Sequence, residues 1–320
     1  MSWSAADVPD QTGKTVVITG ANSGLGYQAA GTLAKRGATV VMACRSVDRG
    51  ESAAAKLRRQ IDGTEPEFDV RECDLASLDS VAAFAETLQE DYDELHALCN
   101  NAGVMAIPRS ETEDGFETQF GVNHLGHFAL TGHLLETLVA TPGETRVVVH
   151  SSGAHQGGDI DFEDLHHEDS YGKWEAYSQS KLANLLFAYE LQRRLDGAGI
   201  EDSIAVACHP GYAATNLQSR GPEQEGSTVK LYAMRAANAV FGQSAAQGAL
   251  PLLYATTAAD VDGGEYVGPG GLMNMRGAPE KQRSNGRSYD EDLADRLWAV
   301  SEDETGVEYD FAALAGAVRA

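Results

Sequence analysis

Short apolar runs alternate with segments of helical length along most of the chain. The strongest runs span residues 15–19, 39–43, 146–150 and 204–208, and weaker ones span residues 67–71, 95–98 and 265–267. Continuous apolar runs of this length are typical of strands that are covered on both faces, as in parallel sheets. Such strands alternating with helices predict an α/β fold built from βαβ units.

Helical periodicity is clearest around residue 185. Four apolar or aromatic side chains there follow the i, i+3, i+4, i+7 spacing of one helix face: Leu182, Leu185, Leu186 and Tyr189. A second helix is predicted over residues 27–36. No internal repeat, low-complexity tract or Pro/Ser-rich linker interrupts the pattern, so residues 1–320 are predicted to form a single domain.

The overall composition is that of a soluble globular protein. Hydrophobic residues make up 42% and charged residues 22% of the 320 positions, which excludes disordered and collagen-like classes. No run approaches the ~18 apolar residues that a membrane helix needs, and the N-terminus lacks the apolar region of a signal peptide. We therefore expect a cytoplasmic protein that does not bind a membrane.

The charge balance is strongly acidic. The chain has 48 acidic and 24 basic residues, a formal charge of −24, and most of its basic residues are arginine rather than lysine. Such a field repels nucleic acid and anionic lipid, so we expect neither as a partner. An acidic, lysine-poor surface favours a halophilic protein, because molar salt screens the repulsion between carboxylates. An ordinary acidic protein is the alternative.

Cysteines and histidines give no sign of a metal site. The four cysteines are widely spaced, form no CxxC pair and lie in or beside predicted strands: Cys44, Cys73, Cys99 and Cys208. They are predicted to be reduced and mostly buried. His155, His166 and His167 lack the spacing of an HExxH zinc site. We expect no metal, and a solvated acidic loop around these histidines.

A glycine-rich turn follows the first predicted strand. It reads GANSGLG and contains Gly20, Asn22, Ser23, Gly24, Leu25 and Gly26. Glycines in such a turn allow a tight bend and the close approach of a pyrophosphate, while the N-terminus of the following helix favours the anion. The string alone also occurs in ordinary turns, but a strand before it and a helix after it favour a nucleotide site.

The end of the second predicted strand indicates which nucleotide binds. An acidic residue at this place would hydrogen-bond the ribose hydroxyls of NAD, whereas this chain has Arg45 and Ser46. A guanidinium can pair with a 2′-phosphate, and the serine hydroxyl can donate to it. The pattern favours NADP(H) over NAD(H). The alternative is a solvated arginine at a strand end, since the glycine turn contains no basic residue.

Seven motifs in a fixed order carry a family resemblance. They are TGANSGLG (residues 19–26), CDL (73–75), NNAG (100–103), GVNHLGHF (121–128), HSS (150–152), YSQSK (177–181) and HPG (209–211). With them the chain resembles the short-chain dehydrogenase/reductase superfamily over about residues 13–270. The resemblance implies a Rossmann fold: a doubly wound, mostly parallel, seven-stranded sheet with helices on both faces. It also implies an NADP(H)-dependent oxidoreductase that interconverts an aldehyde or ketone with an alcohol.

The resemblance assigns the chemistry to Asn123, Ser152, Tyr177 and Lys181. Tyr177 and Lys181 are four residues apart and project from one face of the predicted helix. An adjacent ammonium lowers the pKa of a phenol, which otherwise lies near 10. Tyr177 would then exchange a proton with the substrate oxygen while hydride moves to or from the nicotinamide. Ser152 would orient that oxygen, and Asn123 would help hold a water that links Lys181 to a proton relay.

The same resemblance implies further cofactor contacts besides Tyr177 and Lys181. They are Asp74, Leu75, Asn101, Ala102, Gly103, Pro210, Gly211 and Thr215. Asp74 would hydrogen-bond the adenine amino group; its alternative is an N-cap for the helix predicted to begin near Ser77. Asn101 would also brace the central strand, and Thr215 would donate to the nicotinamide carboxamide or the pyrophosphate.

Several features are similar to the retinol dehydrogenase and protochlorophyllide reductase-like branch of the superfamily. They are the ACRS turn, the long interval between Ser152 and Tyr177, HPG followed by residues 215–217, and residues 296–298. That branch acts on apolar carbonyl compounds and alcohols. The inserted residues are expected at the mouth of the active site. Residues 216–245, the predicted substrate lid, carry no recognisable substrate code.

Two alternative functions are left open by the sequence: a C=C reductase of the protochlorophyllide reductase type, and a non-catalytic NADP(H)-binding regulator. The resemblance implies a homodimer or homotetramer packed through helices, but an extension such as residues 285–320 can cover those faces. Within that extension Phe311, Leu314 and Val318 stand at helical spacing. They predict a final helix that packs partly on the body of the protein.

Overall fold

The protein is described by a computed structural model that covers residues 2–63, 65–212 and 243–318. Thr215 and most of the predicted lid, residues 216–242, lie outside the described residues. The described chain forms an α/β fold with one central sheet and helices on both of its faces.

Eight strands of the described chain build the sheet. They are β1 Thr15–Thr19, β2 Thr39–Cys44, β3 Phe68–Glu72, β4 Ala97–Asn100, β5 Thr145–His150, β6 Ser203–Cys208, β7 Tyr266–Pro269 and β8 Pro279–Gln282. Their order is β3-β2-β1-β4-β5-β6-β7-β8. The first seven are parallel, and β8 pairs antiparallel with β7. Because the chain starts in the middle and winds outward both ways, the predicted doubly wound topology is confirmed.

The eighth strand is the one departure from the predicted seven-stranded sheet. Strand β8 reads PEKQ and has no apolar run, and its Glu280 and Lys281 are exposed. An edge strand needs a partner on one side only, and charged side chains there discourage pairing with another chain. The pattern that reveals buried parallel strands therefore gives no signal for β8.

The helices fill the connections between strands. They are α1 Gly24–Lys35, α2 Val47–Gln60, α3 Leu78–Asp91, α4 Gly126–Ala140, α5 Lys173–Ala198, α6 Leu250–Thr257, α7 Glu291–Thr305 and α8 Phe311–Val318. A short turn at Thr118–Phe120 and a π-helical turn at Gly121–Leu125 run directly into α4. Further helical turns are Ala5–Asp7, Gly153–Gly157, Ala245–Gly248, Leu272–Asn274 and Gly286–Tyr289.

Buried side chains form a layer on each face of the sheet. Successive residues of β1 point to opposite faces of the sheet. Val17 packs in the layer formed with α3, α4 and α5. Val16 and Ile18 pack in the opposite layer with α1, α2 and α6. Both faces are therefore covered, which explains why the strand sequences are continuous apolar runs. The four cysteines are buried with free thiols, as predicted.

The insertion between Ser152 and α5 corrects the prediction of a solvated loop. Ile160 and Leu165 are buried in a third cluster with residues of α5 and α7, and His155 and His167 are buried as well. Apolar side chains at intervals among the acidic ones fill the gap between two helices. The sequence prediction weighed the many carboxylates and overlooked those apolar positions.

The C-terminal extension packs against the body of the protein. Trp298 of α7 is buried among aromatic rings from three other segments: Phe128, Phe187, Tyr309 and Phe311. The predicted final helix is present as α8, and Leu314 on it is buried. Helices α7 and α8 both contact α4 and α5. The extension thus covers part of the helical layer on that face of the sheet.

No helix within the described ranges combines the length and the apolar character that crossing a bilayer requires.

Candidate functional site

A cavity opens at the carboxyl ends of the central strands. Its volume is about 790 Å³, and residues that follow β4, β5 and β6 line it. A second depression of about 220 Å³ lies past the ends of β1, β2 and β3. The two share lining residues, among them Leu25 and residues 101–104. They therefore form one continuous cleft, at the place where doubly wound sheets bind ligands.

The glycine turn has the backbone that a phosphate cradle needs. Gly20 and Gly24 have φ values of 67° and 58°, in the left-handed region that favours glycine. A Cβ on Gly26 would lie 2.7 Å from Asn101 Nδ2 and 2.8 Å from the Gly20 carbonyl oxygen. Asn22, Ser23 and Leu25 line the groove with Gly20 and Gly24, and α1 begins at Gly24. The predicted strand–turn–helix is confirmed, with a helix N-terminus facing the groove.

Cationic side chains border the groove where β2 ends. Arg45 and Ser46 line it as predicted from the sequence. Arg49, in the first turn of α2, also lines it and was missed by sequence reasoning. Its signal was a second arginine four residues after Arg45. Among the described residues that line this groove, the only carboxylate is Asp74.

Asp74 and Leu75 also line that groove. Asp74 Oδ1 accepts a hydrogen bond from the Ala76 amide at 3.1 Å. Helix α3 has Ser77 as its N-cap, with the hydroxyl accepting from the Ser80 amide. The alternative that Asp74 is the N-cap is therefore wrong, and its carboxylate stays in the groove.

Asn101 and its neighbours are fixed to strand β1. Thr19 Oγ1 accepts from the amides of Asn101 and Ala102, each at 2.9 Å, and Asn101 Nδ2 donates to the Thr19 carbonyl at 2.7 Å. His150 Nδ1 lies 3.2 Å from Asn101 Oδ1. Asn101 thus braces β1 against β4 and β5, and residues 101–103 line both parts of the cleft.

Tyr177, Ser152 and Lys181 meet at the floor of the larger cavity. The Ser152 side chain lies beside the Tyr177 hydroxyl and acts to lower its pKa. Lys181 Nζ donates to the His150 carbonyl at 3.0 Å and lies 5.9 Å from the centre of the Tyr177 ring. Tyr177 and Lys181 are both almost completely buried, one turn apart on α5. The three residues that the sequence predicted to act together thus line one cavity.

The pKa directions in this structure differ from the expectation for Tyr177. Burial raises the pKa of the Tyr177 phenol, and the hydrogen bond with Ser152 offsets that rise only in part. Burial also lowers the pKa of Lys181 to about 8. The Lys181 ammonium is bound to the His150 carbonyl rather than to the phenol. In the protein alone, the loss of hydration therefore outweighs the lowering of the Tyr177 pKa expected from Lys181.

Asn123 lies within the π-helical turn that precedes α4. Its Oδ1 accepts from the Val104 amide at 2.8 Å, and its Nδ2 donates to the Val104 carbonyl and to Ser180 Oγ, each at 2.9 Å. A Cβ on Gly103 would lie 2.9 Å from Asn123 Oδ1 and 3.6 Å from Lys181 Nζ. Asn123 thus fixes the chain after the NNAG motif. Gly103 lies between the Asn123 side chain and the Lys181 ammonium. A π-turn at such a position is frequent at functional sites.

The far side of the cavity follows β6. Pro210 and Gly211 line it as expected. Gly211 has a φ of 65°, and a Cβ there would lie 2.4 Å from the Met275 carbonyl oxygen. Glycine is therefore required where the chain leaves the sheet.

Sequence reasoning missed the apolar mouth of the cavity. Trp174 and Met273 line it, with side chains 55% and 77% exposed. Trp174 stands three residues before Tyr177, so the i, i+3 spacing on α5 was an available signal. Met273 follows the short strand β7, and nothing in the sequence pattern marks it.

The histidines of the insertion are used in local packing. His166 Nδ1 accepts from the Glu117 amide at 3.2 Å, and its Nε2 lies 3.5 Å from Glu304. Across residues 2–63, 65–212 and 243–318, no three His, Cys, Asp or Glu side chains are grouped so as to hold a metal ion.

Comparison with known proteins agrees with this geometry. A family model described as short chain dehydrogenase matches residues 14–226. Retinol dehydrogenase 14 of Mus musculus is 42% identical over 308 residues, which cover 92% of this chain and 86% of the relative. Retinol dehydrogenase 13 of Homo sapiens is 42% identical over 309 residues, which cover 95% and 87% of the two chains.

A solved structure is also similar along nearly the whole chain. It is an uncharacterised protein from Mycobacterium paratuberculosis with 44% sequence identity and a TM-score of 0.79. The alignment covers 97% of this chain and 100% of that one. The cleft, its glycine turn and these relatives lead to one conclusion. The chain is an oxidoreductase that belongs to the short-chain dehydrogenase/reductase superfamily, in its retinol dehydrogenase-like branch.

Proposed function

We propose that the protein is an NADP(H)-dependent oxidoreductase that interconverts an aldehyde or ketone with an alcohol. The observation that carries the proposal is the Ser152 side chain beside the Tyr177 hydroxyl, with both residues and Lys181 lining the cavity. Two hydroxyls that converge on one point can bind a single carbonyl oxygen, one of them positioning it and the other supplying the proton.

A nicotinamide cofactor supplies or accepts the hydride when bound. The residues of this chain fit such a group, because the glycine turn and the N-terminus of α1 line a groove that is continuous with the cavity lined by Tyr177. During reduction Tyr177 donates its hydroxyl proton to the substrate oxygen, and Ser152 donates a hydrogen bond to the same oxygen. Lys181 then supplies a positive charge that stabilises the phenolate left on Tyr177.

The choice of NADP(H) rests on the cations at the end of β2. Arg45 and Arg49 border the groove, and neither forms an ion pair among the described residues. In a chain with twice as many acidic as basic residues, unpaired guanidinium groups at a ligand groove favour an anion there. A 2′-phosphate is that anion.

The substrate is proposed to be a largely apolar carbonyl compound or alcohol. Met105, Ala106, Trp174, Met273 and Met275 line the cavity, and no carboxylate occurs among its described lining residues. Methionine side chains adapt to irregular apolar ligands. The relatives named as retinol dehydrogenases are consistent with this class of substrate.

The test is oxidation of NADPH and NADH against a panel of apolar aldehydes, ketones and enones, at both low and molar KCl. We expect NADPH-dependent turnover of one carbonyl class with an alcohol as product. A saturated C–C bond in the product would instead support the C=C reductase. Tight NADPH binding without turnover in either salt would support a binding protein without catalysis.

Replacement of the proton donor tests the roles of the residues. Tyr177→Phe is expected to abolish turnover while leaving the affinity for NADPH nearly unchanged, because only the hydroxyl is removed. The measurement is steady-state turnover together with fluorescence titration of NADPH. Turnover retained by Tyr177→Phe would show that another group donates the proton.

A further inference from the structure

One buried histidine ties the turn after Ser152 to the C-terminal part of the chain. His155 lies in the helical turn Gly153–Gly157 and is 2% exposed. Its Nδ1 is 2.6 Å from the Ser152 carbonyl oxygen. The Asn285 amide donates to its Nε2 at 3.3 Å, and Asn285 Nδ2 donates to the His155 carbonyl at 2.8 Å. His155 therefore bridges two segments that are 130 residues apart.

The surrounding hydrogen bonds define the tautomer of this histidine. The Asn285 main-chain amide can only donate, so Nε2 must accept. The ring proton is then on Nδ1, which donates to the Ser152 carbonyl. Burial lowers the pKa of His155 and keeps the ring neutral. A neutral ring with one donor and one acceptor is what these two partners require.

His155 holds the main-chain carbonyl of Ser152 with two hydrogen bonds. Its carbonyl oxygen accepts from both the His155 amide, at 3.0 Å, and His155 Nδ1. The Ser152 hydroxyl accepts from the Ala154 amide at 3.2 Å and lies beside the Tyr177 hydroxyl. A displacement of the Ser152 main chain would move the hydroxyl relative to Tyr177.

The segment that holds His155 is itself anchored. Asn285 Oδ1 accepts from the Ser288 amide at 3.0 Å and thereby caps the turn Gly286–Tyr289. Arg287 Nη1 lies 2.7 Å from Asp159 Oδ1 and donates to the Gly158 carbonyl at 3.2 Å. Both segments are fixed to each other around the imidazole, so the imidazole has a defined position.

We propose that His155 is a positioning residue: held by Asn285, it fixes the Ser152 main chain so that the serine hydroxyl stays beside Tyr177 for the substrate oxygen. This inference rests on the proposed function, since it concerns the reaction at the same cleft. It gives the insertion a role in catalysis beyond filling space, and it makes the C-terminal segment a support for the active site.

Two amide substitutions separate the two hydrogen bonds of the ring. His155→Asn places an N–H near the former Nδ1 and can keep the bond to the Ser152 carbonyl. His155→Gln reaches the former Nε2 and loses that bond. We expect His155→Gln to lower kcat for carbonyl reduction by on the order of tenfold. His155→Asn should stay within about threefold of the wild type, and both should leave NADPH affinity unchanged.

A double-mutant cycle with Ser152→Ala shows whether His155 acts through Ser152. If it does, His155→Gln should cost little further turnover in the Ser152→Ala background. An equal loss of kcat in both backgrounds, or an equal loss for the Asn and Gln variants, would mean that His155 only supports the fold. If Ser152→Ala has no measurable turnover, the comparison of Asn with Gln decides alone.

Two controls complete the design. Asn285→Asp keeps the capping oxygen but replaces the amide donor to the His155 carbonyl, so kcat should fall without loss of the cap. His133→Gln, on α4 and outside the cavity, should leave kcat unchanged. Absence of turnover in the wild type would overturn the proposed function, whereas an active wild type with additive losses would overturn only the role of His155.

Discussion

At the scale of single residues, the cleft combines groups whose burial changes their chemistry. Tyr177 and Lys181 are buried together, and burial favours the neutral form of each. A proton donor that stays protonated until the substrate oxygen accumulates charge suits the reduction of a carbonyl. The structure of the protein alone therefore describes the enzyme before its reaction, with the proton on Tyr177.

Cofactor preference is a prediction at this scale. Arg45→Asp is expected to lower the ratio of NADP to NAD catalytic efficiencies by on the order of tenfold to hundredfold, because a charged hydrogen bond to the 2′-phosphate is replaced by repulsion. Steady-state kcat/KM with each cofactor measures this. Arg59→Asp is the matched control, because it makes the same charge reversal at an exposed residue of α2 that does not line the groove. An unchanged ratio in Arg45→Asp would assign the discrimination to another residue, such as Arg49.

Buried histidines predict how stability depends on pH. Burial lowers the pKa of His124, His127 and His150 to about 3 each. In the unfolded chain histidine titrates near 6.5. As pH falls below that value the unfolded state binds protons that the folded state does not, so stability decreases down to the folded pKa.

Below about pH 6.5, we expect the equilibrium constant for folding to decrease by roughly tenfold per pH unit for each such histidine. Urea unfolding at about pH 7 and about pH 5.5, at constant salt, measures it, and the window lies above most carboxylate pKa values. His124→Gln should reduce the slope. A stability that does not change between these two pH values would mean that the histidine rings are hydrated or charged in the folded protein.

At the scale of elements, the C-terminal helices complete the hydrophobic layer over α4 and α5. Trp298 is 2% exposed, its ring lies 4.7 Å from that of Tyr309 and 5.1 Å from that of Phe128, and the Arg194 guanidinium stacks on it at 4.5 Å. Because aromatic rings carry much of the buried apolar area, the extension is part of the folded core.

Loss of the Trp298 ring should therefore destabilise the protein strongly. Trp298→Ala is expected to lower the free energy of unfolding by about 3–5 kcal/mol, as for other large-to-small core changes. Chemical denaturation measures this. Trp174→Ala is the matched control for stability, because that side chain is 55% exposed, and it should cost far less. Similar losses for the two variants would show that α7 is not packed as described.

At the scale of the whole molecule, the dominant feature is the net charge of −24. The basic residues can balance at most half of the negative charge, since acidic residues outnumber basic ones two to one. Repulsion among them destabilises the compact state at low ionic strength. Salt reduces this repulsion, because the screening length falls from about 10 Å at 0.1 M to about 3 Å at 1 M.

The melting temperature should therefore rise between low and molar KCl. Thermal denaturation at a series of KCl concentrations, with sucrose as a control for general solvent exclusion, measures this effect. A melting temperature that keeps rising at KCl concentrations where simple screening is complete would support halophily. A melting temperature that stops rising at a few tenths molar would indicate an ordinary acidic protein.

The sequence by itself determined the parallel strands, the glycine turn and the Tyr177–Lys181 spacing. Each depends on neighbours within a few positions: a run of buried residues, a positive φ, one turn of a helix. It therefore also determined the family and the chemistry to expect. The hydroxyl pair of Ser152 and Tyr177 followed from motifs whose order along the chain reflects one fold.

Only the tertiary structure decided the remaining features. Strand β8 is stabilised by pairing with β7 at an edge and has no apolar signature of its own. The balance of pKa effects at Tyr177 depends on burial, which no local pattern reports. The bridge from His155 to Asn285 joins residues that are far apart in sequence, and neither is unusual in its own segment. Contacts of this kind arise when the chain packs on itself, so they become visible only in the folded molecule.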